Sequence, residues 1–382
     1  MNNPQTVAFH RPYLSGKEER ALTQVMESGR YGSEGQFLES CADQLRVMSG
    51  VGAVLLTPSC TAALEMAALL CDIAPGDEVI MPSFTFVSSA NPFVLRGARV
   101  VFADVDPRTM NLDPACAAAA VTGRTRAVVL THYGGIAADL RAFRQLAEEH
   151  NLWLVEDAAH GIGAFWQDRH LGTVGHLGAL SFHASKNLHC AEGGALFIND
   201  PRLLERAELL YHKGTNRRQF LNGEASRYTW VDVGSSFTLS EINAAFLSAQ
   251  LPDLELVNNR RRQVWNQYRQ ELTALEAAGR LELAVPSTGA VHNAHVFYLK
   301  CRDLAERENL RLFLQKNGID SRFHYIPLHS APAGQRFGRF AGADRYTTRD
   351  SERLLRLPLH TGLDETDIQR TISTIQRFFQ HR

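Results

Sequence analysis

Ala127-Val-Val-Leu-Thr-His132, Leu140-Arg-Ala-Phe-Arg-Gln-Leu-Ala-Glu-Glu-His150 and Trp153-Leu-Val-Glu-Asp157 follow one another along the chain. They read as strand, helix and strand within roughly thirty residues, the length of one βαβ unit. The outer runs are almost continuously apolar, as expected of strands buried on both faces of a parallel sheet. Working outward, further strand candidates are Ala53–Leu56, Glu78–Pro82, Val100–Val105, Leu180–His183 and Ala195–Asn199, with another helix over Thr61–Leu70. The alternation predicts an α/β fold with helices on both faces of the sheet. Only about a dozen residues separate the last two strands. That is at the lower limit for a parallel crossover, so this pair can be antiparallel.

The pattern changes after residue 250. Leu254–Leu275 reads as one long helix, followed by a short strand (Val296–Leu299), a helix (Leu304–Gln315) and the loop-rich Phe323–Gly342. A last helix, Asp367–Phe379, carries Ile368, Ile372, Ile375 and Phe379 at helical spacing. The expected organisation is a large α/β domain over residues 1–250 and a smaller α+β domain over 251–382. No internal repeat or low-complexity segment interrupts it.

Composition narrows the function classes. The chain has 382 residues, 45% of them hydrophobic and 21% charged, as in ordinary globular proteins. Its 40 basic and 41 acidic residues leave a net charge of -1. That argues against a nucleic-acid partner or an anionic membrane surface. No apolar run approaches the ~18–20 residues of a membrane span, and Met1–Thr6 has no basic segment leading into an apolar one. Six scattered cysteines without a C-x-x-C suggest reduced thiols and a cytoplasmic protein.

The chemistry-bearing residues lie at strand ends. Val155-Glu-Asp-Ala-Ala159 closes one strand, and Lys186 follows another in Leu180-Ser-Phe-His-Ala-Ser-Lys-Asn187. An acid and a lysine so placed suit pyridoxal phosphate (PLP). The lysine would hold the cofactor as a Schiff base, and Asp157 would keep a proton on its ring nitrogen. Either residue alone also reads as a solvated lysine or a strand-end cap. In Thr57-Pro-Ser-Cys-Thr-Ala-Ala-Leu64 a strand leads into a helix that Ser59 can cap. The N–H groups of Thr61 and Ala62 would then be free to hold a phosphate, although an ordinary capped helix has the same sequence. No G-x-G-x-x-G or Walker sequence is present, which disfavours dinucleotide and ATP phosphate loops. Phe86, in Pro82-Ser-Phe-Thr-Phe-Val87, could cover a flat ring at the same sheet edge or simply fill the core. His160 could contact the ring oxygen or cap a helix. His170, His176, His183, His189 and Cys190 have no i, i+4 spacing, and strand alternation would scatter them, so no metal site is expected.

Pro58-Ser-Cys-Thr-Ala-Ala-Leu64, Pro82-Ser-Phe-Thr-Phe-Val87, Val155-Glu-Asp-Ala-Ala159 and Ser181-Phe-His-Ala-Ser-Lys-Asn187, in that order along the chain, resemble the PLP-dependent nucleotide-sugar aminotransferases of the DegT/StrS group. The resemblance runs from Ser28-Gly-Arg-Tyr-Gly32 through Thr131-His-Tyr-Gly134 and Phe323-His-Tyr-Ile-Pro-Leu-His329 to Leu355-Arg-Leu-Pro-Leu359. Lys213-Gly-Thr-Asn-Arg217, Asp232-Val-Gly-Ser-Ser236 and Pro332-Ala-Gly334 are most similar to the branch that makes dTDP-4-amino-4,6-dideoxygalactose for a surface polysaccharide.

The resemblance implies a type I PLP-enzyme fold with a mixed, mostly parallel seven-stranded sheet, working as a homodimer with two shared active sites. It implies Lys186 and Asp157 as catalytic residues, and cofactor contacts from Thr61, Ala62, Phe86, His160 and Ser181. Ser236 stands where many relatives carry an asparagine that reaches the phosphate of the neighbouring subunit. Arg30, Tyr31, Lys213, Asn216, Arg217 and His329 are candidate sugar or nucleotide contacts. The implied activity is amino transfer from glutamate to a dTDP-4-keto-6-deoxy sugar. Alternatives are another keto sugar nucleotide, or a non-catalytic regulator with the same fold. Dehydratases of the group resemble this chain with histidine in place of the lysine, so Lys186 argues against dehydration.

Overall fold

Alternation along buried strands builds the centre of the molecule. A computed structural model describes residues 6–380, and the opening stretch read for a leader lies, apart from Thr6, outside them. Along the strand Thr125–Thr131, Ala127 and Val129 enter one core together with Val79, Met81, Val100, Phe102 and Val155. Val128 and Leu130 point the other way and join Ile80, Val101, Leu154 and Leu180 in a second core. Successive side chains on a strand face opposite sides. A strand with a core on each side must therefore be apolar throughout, which is why these runs show no polar alternation.

The sheet runs in the order Ala53–Thr57, Gly194–Ile198, Leu177–Ser181, Trp153–Asp157, Thr125–Thr131, Glu78–Pro82, Arg99–Ala103, Gly338–Phe340. Gly194–Ile198 is antiparallel to both neighbours, and the other pairings are parallel. The fold is that of the type I PLP enzymes, with eight strands where seven were expected. The eighth, Gly338–Phe340, comes from the stretch read as loop-rich and pairs in parallel with Arg99–Ala103. It is only three residues long and carries no apolar run, so periodicity could not reveal it. Its glycine permits the close approach: a Cβ on Gly338 would lie 2.7 Å from the Phe102 ring and 2.9 Å from Val100 O.

The smaller part is built on the long helix Leu254–Ala277 and a three-stranded antiparallel sheet of Glu282–Leu283, Tyr298–Lys300 and Leu354–Arg356. The helices Leu304–Lys316 and Glu365–Gln380 complete it. Ile368, Ile372, Ile375 and Phe379 all enter this core, joining Val264, Trp265, Tyr268 and Leu272. The same core takes in Phe84, Met110, Tyr133 and Ile136 from loops of the large sheet. The small sheet is therefore held against the edge where the strands Glu78–Pro82, Thr125–Thr131, Trp153–Asp157 and Leu177–Ser181 all end. Ligands of open α/β sheets bind at that carboxyl edge. Among the described residues no helix is long and apolar enough to cross a membrane.

Candidate active site

Two adjacent acids end the strand Trp153–Asp157, and strand geometry sends them to opposite faces. Glu156 accepts hydrogen bonds from His132 Nε2 at 2.8 Å and from the backbone N–H groups of Gly172, Val174 and Gly175 at 2.9, 2.7 and 2.6 Å. Burial pushes its pKa up. The His132 bond and charge and the backbone N–H groups outweigh that, and the net shift is downward. Glu156 thus ties down the loop that feeds the next strand.

Asp157 faces a cavity. It accepts from Ser89 Oγ at 2.5 Å and from Ala159 N at 3.1 Å, with Cys60 Sγ 4.0 Å away. Burial raises its pKa, against the opposing hydrogen bonds of Ser89 and Ala159 and the charge of Lys186. Among the described residues it has no ion-pair partner. Ser89 continues into Thr85 Oγ1 at 2.7 Å, which meets Thr131 Oγ1 at 3.1 Å.

Lys186 lines the same cavity, of about 810 Å³, from the loop after Leu177–Ser181. Burial pushes its pKa down; Cys60 and Asp157 oppose this, and the positive charge of Arg356 adds to it. The next residue anchors the loop. Asn187 Nδ2 donates to Asn258 Oδ1 at 2.8 Å and to Asn293 O at 3.0 Å, and its Oδ1 lies 2.9 Å from His295 Nδ1. The lysine therefore stands on a loop fastened to the long helix and to the smaller part.

Ser59, Thr61, Ser88 and Ser181 bring hydroxyls to one end of the cavity. Ser59 caps the helix Cys60–Leu70 as expected, but its Oγ accepts from Ala62 N at 3.1 Å. The Ala62 N–H is thus spent on the cap, and Ala62 does not line the cavity, so its assignment as a free phosphate donor is corrected. Thr61 does line the cavity and donates from Oγ1 to Ser88 Oγ at 2.8 Å. Phe86 is 57% exposed on the cavity wall, 6.4 Å from the Tyr325 ring, which leaves its face open to a flat ligand. His160 stacks on His295 at 4.2 Å and accepts from Gly134 N at its Nδ1, which puts its hydrogen on Nε2. Burial and then the charges of Lys186, His324 and Arg356 lower its pKa, so the ring is neutral. It lines the cavity.

The remaining candidates lie elsewhere. Arg30, Tyr31, Lys213 and Arg217 line a second, open pocket of about 940 Å³. Lys213 holds a left-handed backbone at φ 66°, uncommon for a side chain of this kind. Arg217 Nε donates to Glu34 Oε1 at 2.8 Å. Asn216 is beside this pocket but turned away. Its Nδ2 donates to Arg227 O at 2.9 Å and its Oδ1 accepts from Thr229 N at 2.8 Å, so both ends are used in holding a turn. His329 is likewise committed, with Nδ1 2.7 Å from Ser83 Oγ and Nε2 3.2 Å from Asp344. Neither side chain lines the Lys186 cavity or the second pocket. Ser236 is exposed, pairs by backbone with His212 and does not line the Lys186 cavity.

Sequence reading missed Thr85, Ser89, His295, Tyr325 and Arg356. Tyr325 and Arg356 stand inside stretches quoted for the resemblance, which was the available signal. Ser89 and His295 had none, because each matters only through a partner distant in the chain.

These residues suit PLP. A buried carboxylate with a raised pKa and no cation in contact fits a pyridinium N–H, an unpaired amine fits an aldehyde, and a patch of hydroxyls at a helix start fits a phosphate. Comparison with known proteins agrees. The DegT/DnrJ/EryC1/StrS aminotransferase family matches residues 12–376. The aminotransferase TlmJ from Streptoalloteichus hindustanus is 32% identical, with 98% of this chain and 99% of that one covered and a TM-score of 0.90. DesV from S. venezuelae is 30% identical, with 98% of each chain covered and a TM-score of 0.89. The Spr1654 protein of Streptococcus pneumoniae has the same fold in its PLP form, at 23% identity, with 98% of this chain and 99% of that one covered and a TM-score of 0.87.

Proposed function

The chain belongs to the DegT/DnrJ/EryC1/StrS aminotransferase family, for which PLP is the cofactor, and on that premise we propose that it aminates a nucleotide-linked 4-keto-6-deoxy sugar with glutamate as donor. The reading extends to dTDP-4-keto-6-deoxy-D-glucose as acceptor and dTDP-4-amino-4,6-dideoxy-D-galactose as product. The observation that carries it is the meeting of Lys186 and Asp157 in one cavity at the carboxyl edge of the sheet.

PLP, when bound, supplies the electron sink and carries the amino group from donor to acceptor. Asp157 holds a proton at the ring nitrogen. Burial pushes the pKa of Lys186 Nζ down, which favours the neutral amine that would take a proton from the donor α-carbon and return it. Phe86 and the neutral His160 line the cavity and would flank the ring, and the hydroxyls of Ser59, Thr61 and Ser181 would hold the phosphate. Ala62 is dropped from that set.

A homodimer with shared sites belongs to the same proposal. Trp230 is 77% exposed, with Tyr228, Val231 and Val233 exposed around it, an apolar group of the kind that interfaces cover. It adjoins Ser236 and the pocket of Arg30, Lys213 and Arg217, whose cations suit a diphosphate. In this reading that pocket serves the partner's cavity, and Asn216 shapes it from behind. The division of the chain at residue 250 and a cytoplasmic location are further parts of the proposal, with Gly338–Phe340 returning to the large sheet.

The test is incubation with glutamate and a panel of dTDP- and UDP-linked 4-keto and 3-keto sugars, with products identified by mass and NMR. An equatorial C4 amine would reject the galacto configuration and keep the class. Turnover only with UDP-linked or 3-keto sugars would reject the branch. No amino transfer to any of them would overturn the reading.

A further inference from the structure

Two arginines line the cavity that holds Lys186, and they are used differently. Arg261 donates from Nε to Ala294 O at 3.1 Å and from Nη2 to His295 O at 2.7 Å, bracing the chain beneath His295. Arg356 has almost nothing. Its Nη2 reaches Phe323 O at a long 3.3 Å, and its Nε is shut off from solvent with no hydrogen-bond partner. Among the described residues no carboxylate pairs with it.

The surroundings sharpen the anomaly. Arg356 sits opposite Arg322 across a backbone bridge. Like charges so placed destabilise a sheet. Arg322 is neutralised by Asp320, through Nε at 3.0 Å and Nη2 at 2.9 Å, whereas Arg356 is not. One face of its guanidinium is covered by the Phe9 ring at 4.8 Å, which holds the plane and leaves its edge for a ligand. Buried N–H groups are nearly always paired, and a half-buried guanidinium without a counter-ion is a site for an anion. A guanidinium edge matches a carboxylate in two parallel hydrogen bonds.

We infer that Arg356 binds the α-carboxylate of the amino-acid donor, an assignment that rests on the transamination reading above. In the reading above the hydroxyls of Ser59, Thr61 and Ser181 take the cofactor phosphate, which leaves Arg356 for another anion. The donor amine has to reach the position of Lys186 Nζ, and its α-carboxylate lies only two bonds from that amine. The Arg356 charge is felt by Lys186, His160 and His324 alike, as expected of a cation in the same small space. The γ-carboxylate, three carbons further out, would have to fold back to the same edge.

The test uses the PLP-loaded full chain with Arg356→Met and, as a charge-keeping variant, Arg356→Lys. Three donors are compared by single-turnover bleaching: L-glutamate, its α-amide and its γ-amide, L-glutamine. The wild type should prefer glutamate to the α-amide, and Arg356→Met should lower that preference about 10- to 100-fold, with partial recovery in Arg356→Lys. Calorimetric titration with glutarate, which has carboxylates and no amine, should show binding to the wild type and its loss in Arg356→Met. An unchanged α-amide discrimination in folded Arg356→Met overturns the assignment. So does a loss confined to the γ-amide comparison, which would give Arg356 the side-chain carboxylate. A wild type inert to glutamate would instead refute the proposed activity, and glutarate binding would still decide whether Arg356 is a carboxylate site.

Discussion

Replacing Asp157 by Asn separates what the carboxylate does for the fold from what it does for the cofactor. The amide has the same shape. Its oxygen can keep the Ala159 N–H, now at 3.1 Å, and its NH2 then replaces the oxygen that faces Ser89 Oγ at 2.5 Å. Ser89 can accept that N–H by turning its own proton to Thr85 Oγ1 at 2.7 Å, and Thr85 can turn to Thr131. The hydroxyl chain can thus take up one of the two amide N–H bonds, and the other is left on the cavity side. The apo protein should lose less than about 1 kcal/mol. It can even gain, because the wild-type carboxylate is ionised in a site that raises its pKa. That penalty is present above the folded pKa and fades as pH falls through it, so any advantage of the variant should fade in acid. The cofactor has no such escape. A ring N–H facing an amide loses a buried, charge-assisted partner, about 3–5 kcal/mol. That is about 10²- to 5 × 10³-fold in PLP affinity, with a comparable or larger fall in the glutamate half-reaction. Absorbance titration of PLP into the apo protein, calorimetric melting of the same sample and stopped-flow bleaching would measure the three effects. Wild-type PLP affinity would refute the placement of the ring nitrogen. An affinity loss matched by an equal loss of apo stability would show damage to the fold instead.

Other outcomes follow from the same contacts. Lys186→Ala should abolish the visible absorption of the PLP-loaded protein and cut turnover by about 10³-fold or more, read from the spectrum and the rate together. Glu156→Gln should destabilise the protein by about 3–5 kcal/mol in urea melts, because an amide cannot serve the four donors that converge there. The folded pKa of Glu156 is depressed, so its stabilisation is complete above the ordinary value of 4.5 and is lost as pH falls through the folded value. The gap between wild type and variant should close in acid; a gap independent of pH would contradict the ionised carboxylate. Mixing Lys186→Ala subunits with subunits crippled in the Gly234–Phe237 loop should restore some turnover in mixed dimers, and its absence there would count against shared sites.

Much of the fold was readable because its signals are local. Apolar runs gave the inner strands within a few residues, and Leu140–His150 and the start of Leu254–Ala277 fell where the pattern placed them. The strand expected at Leu180–His183 begins at Leu177 and ends at Ser181. Gly178 hid its start, since a glycine carries no side chain to mark a core position. Its Cβ would lie 2.1 Å from Gly172 O, so the gap in the pattern reflects close backbone contact. Gly338–Phe340 and Leu354–Arg356 were not read as strands, because a three-residue strand is fixed by its neighbours rather than by its own sequence.

The candidate site divides along the same line. Lys186, Asp157, Phe86 and Ser181 could be placed because strand ends in an α/β sheet share one edge, so sequence position alone predicts convergence. Asn216 and His329 have side chains able to bind a ligand, and sequence offers no account of which polar atoms are already engaged. Ser83 and Asp344 take up one ring, and Arg227 and Thr229 take up the other amide. Arg356 is the converse. In the sequence it is one cation among 40, and only the folded network, in which its Nε has no hydrogen-bond partner and no carboxylate among the described residues pairs with it, singles it out. Engagement is a property of the folded network, and in this protein it separates the polar residues that hold the cavity together from those left facing into it.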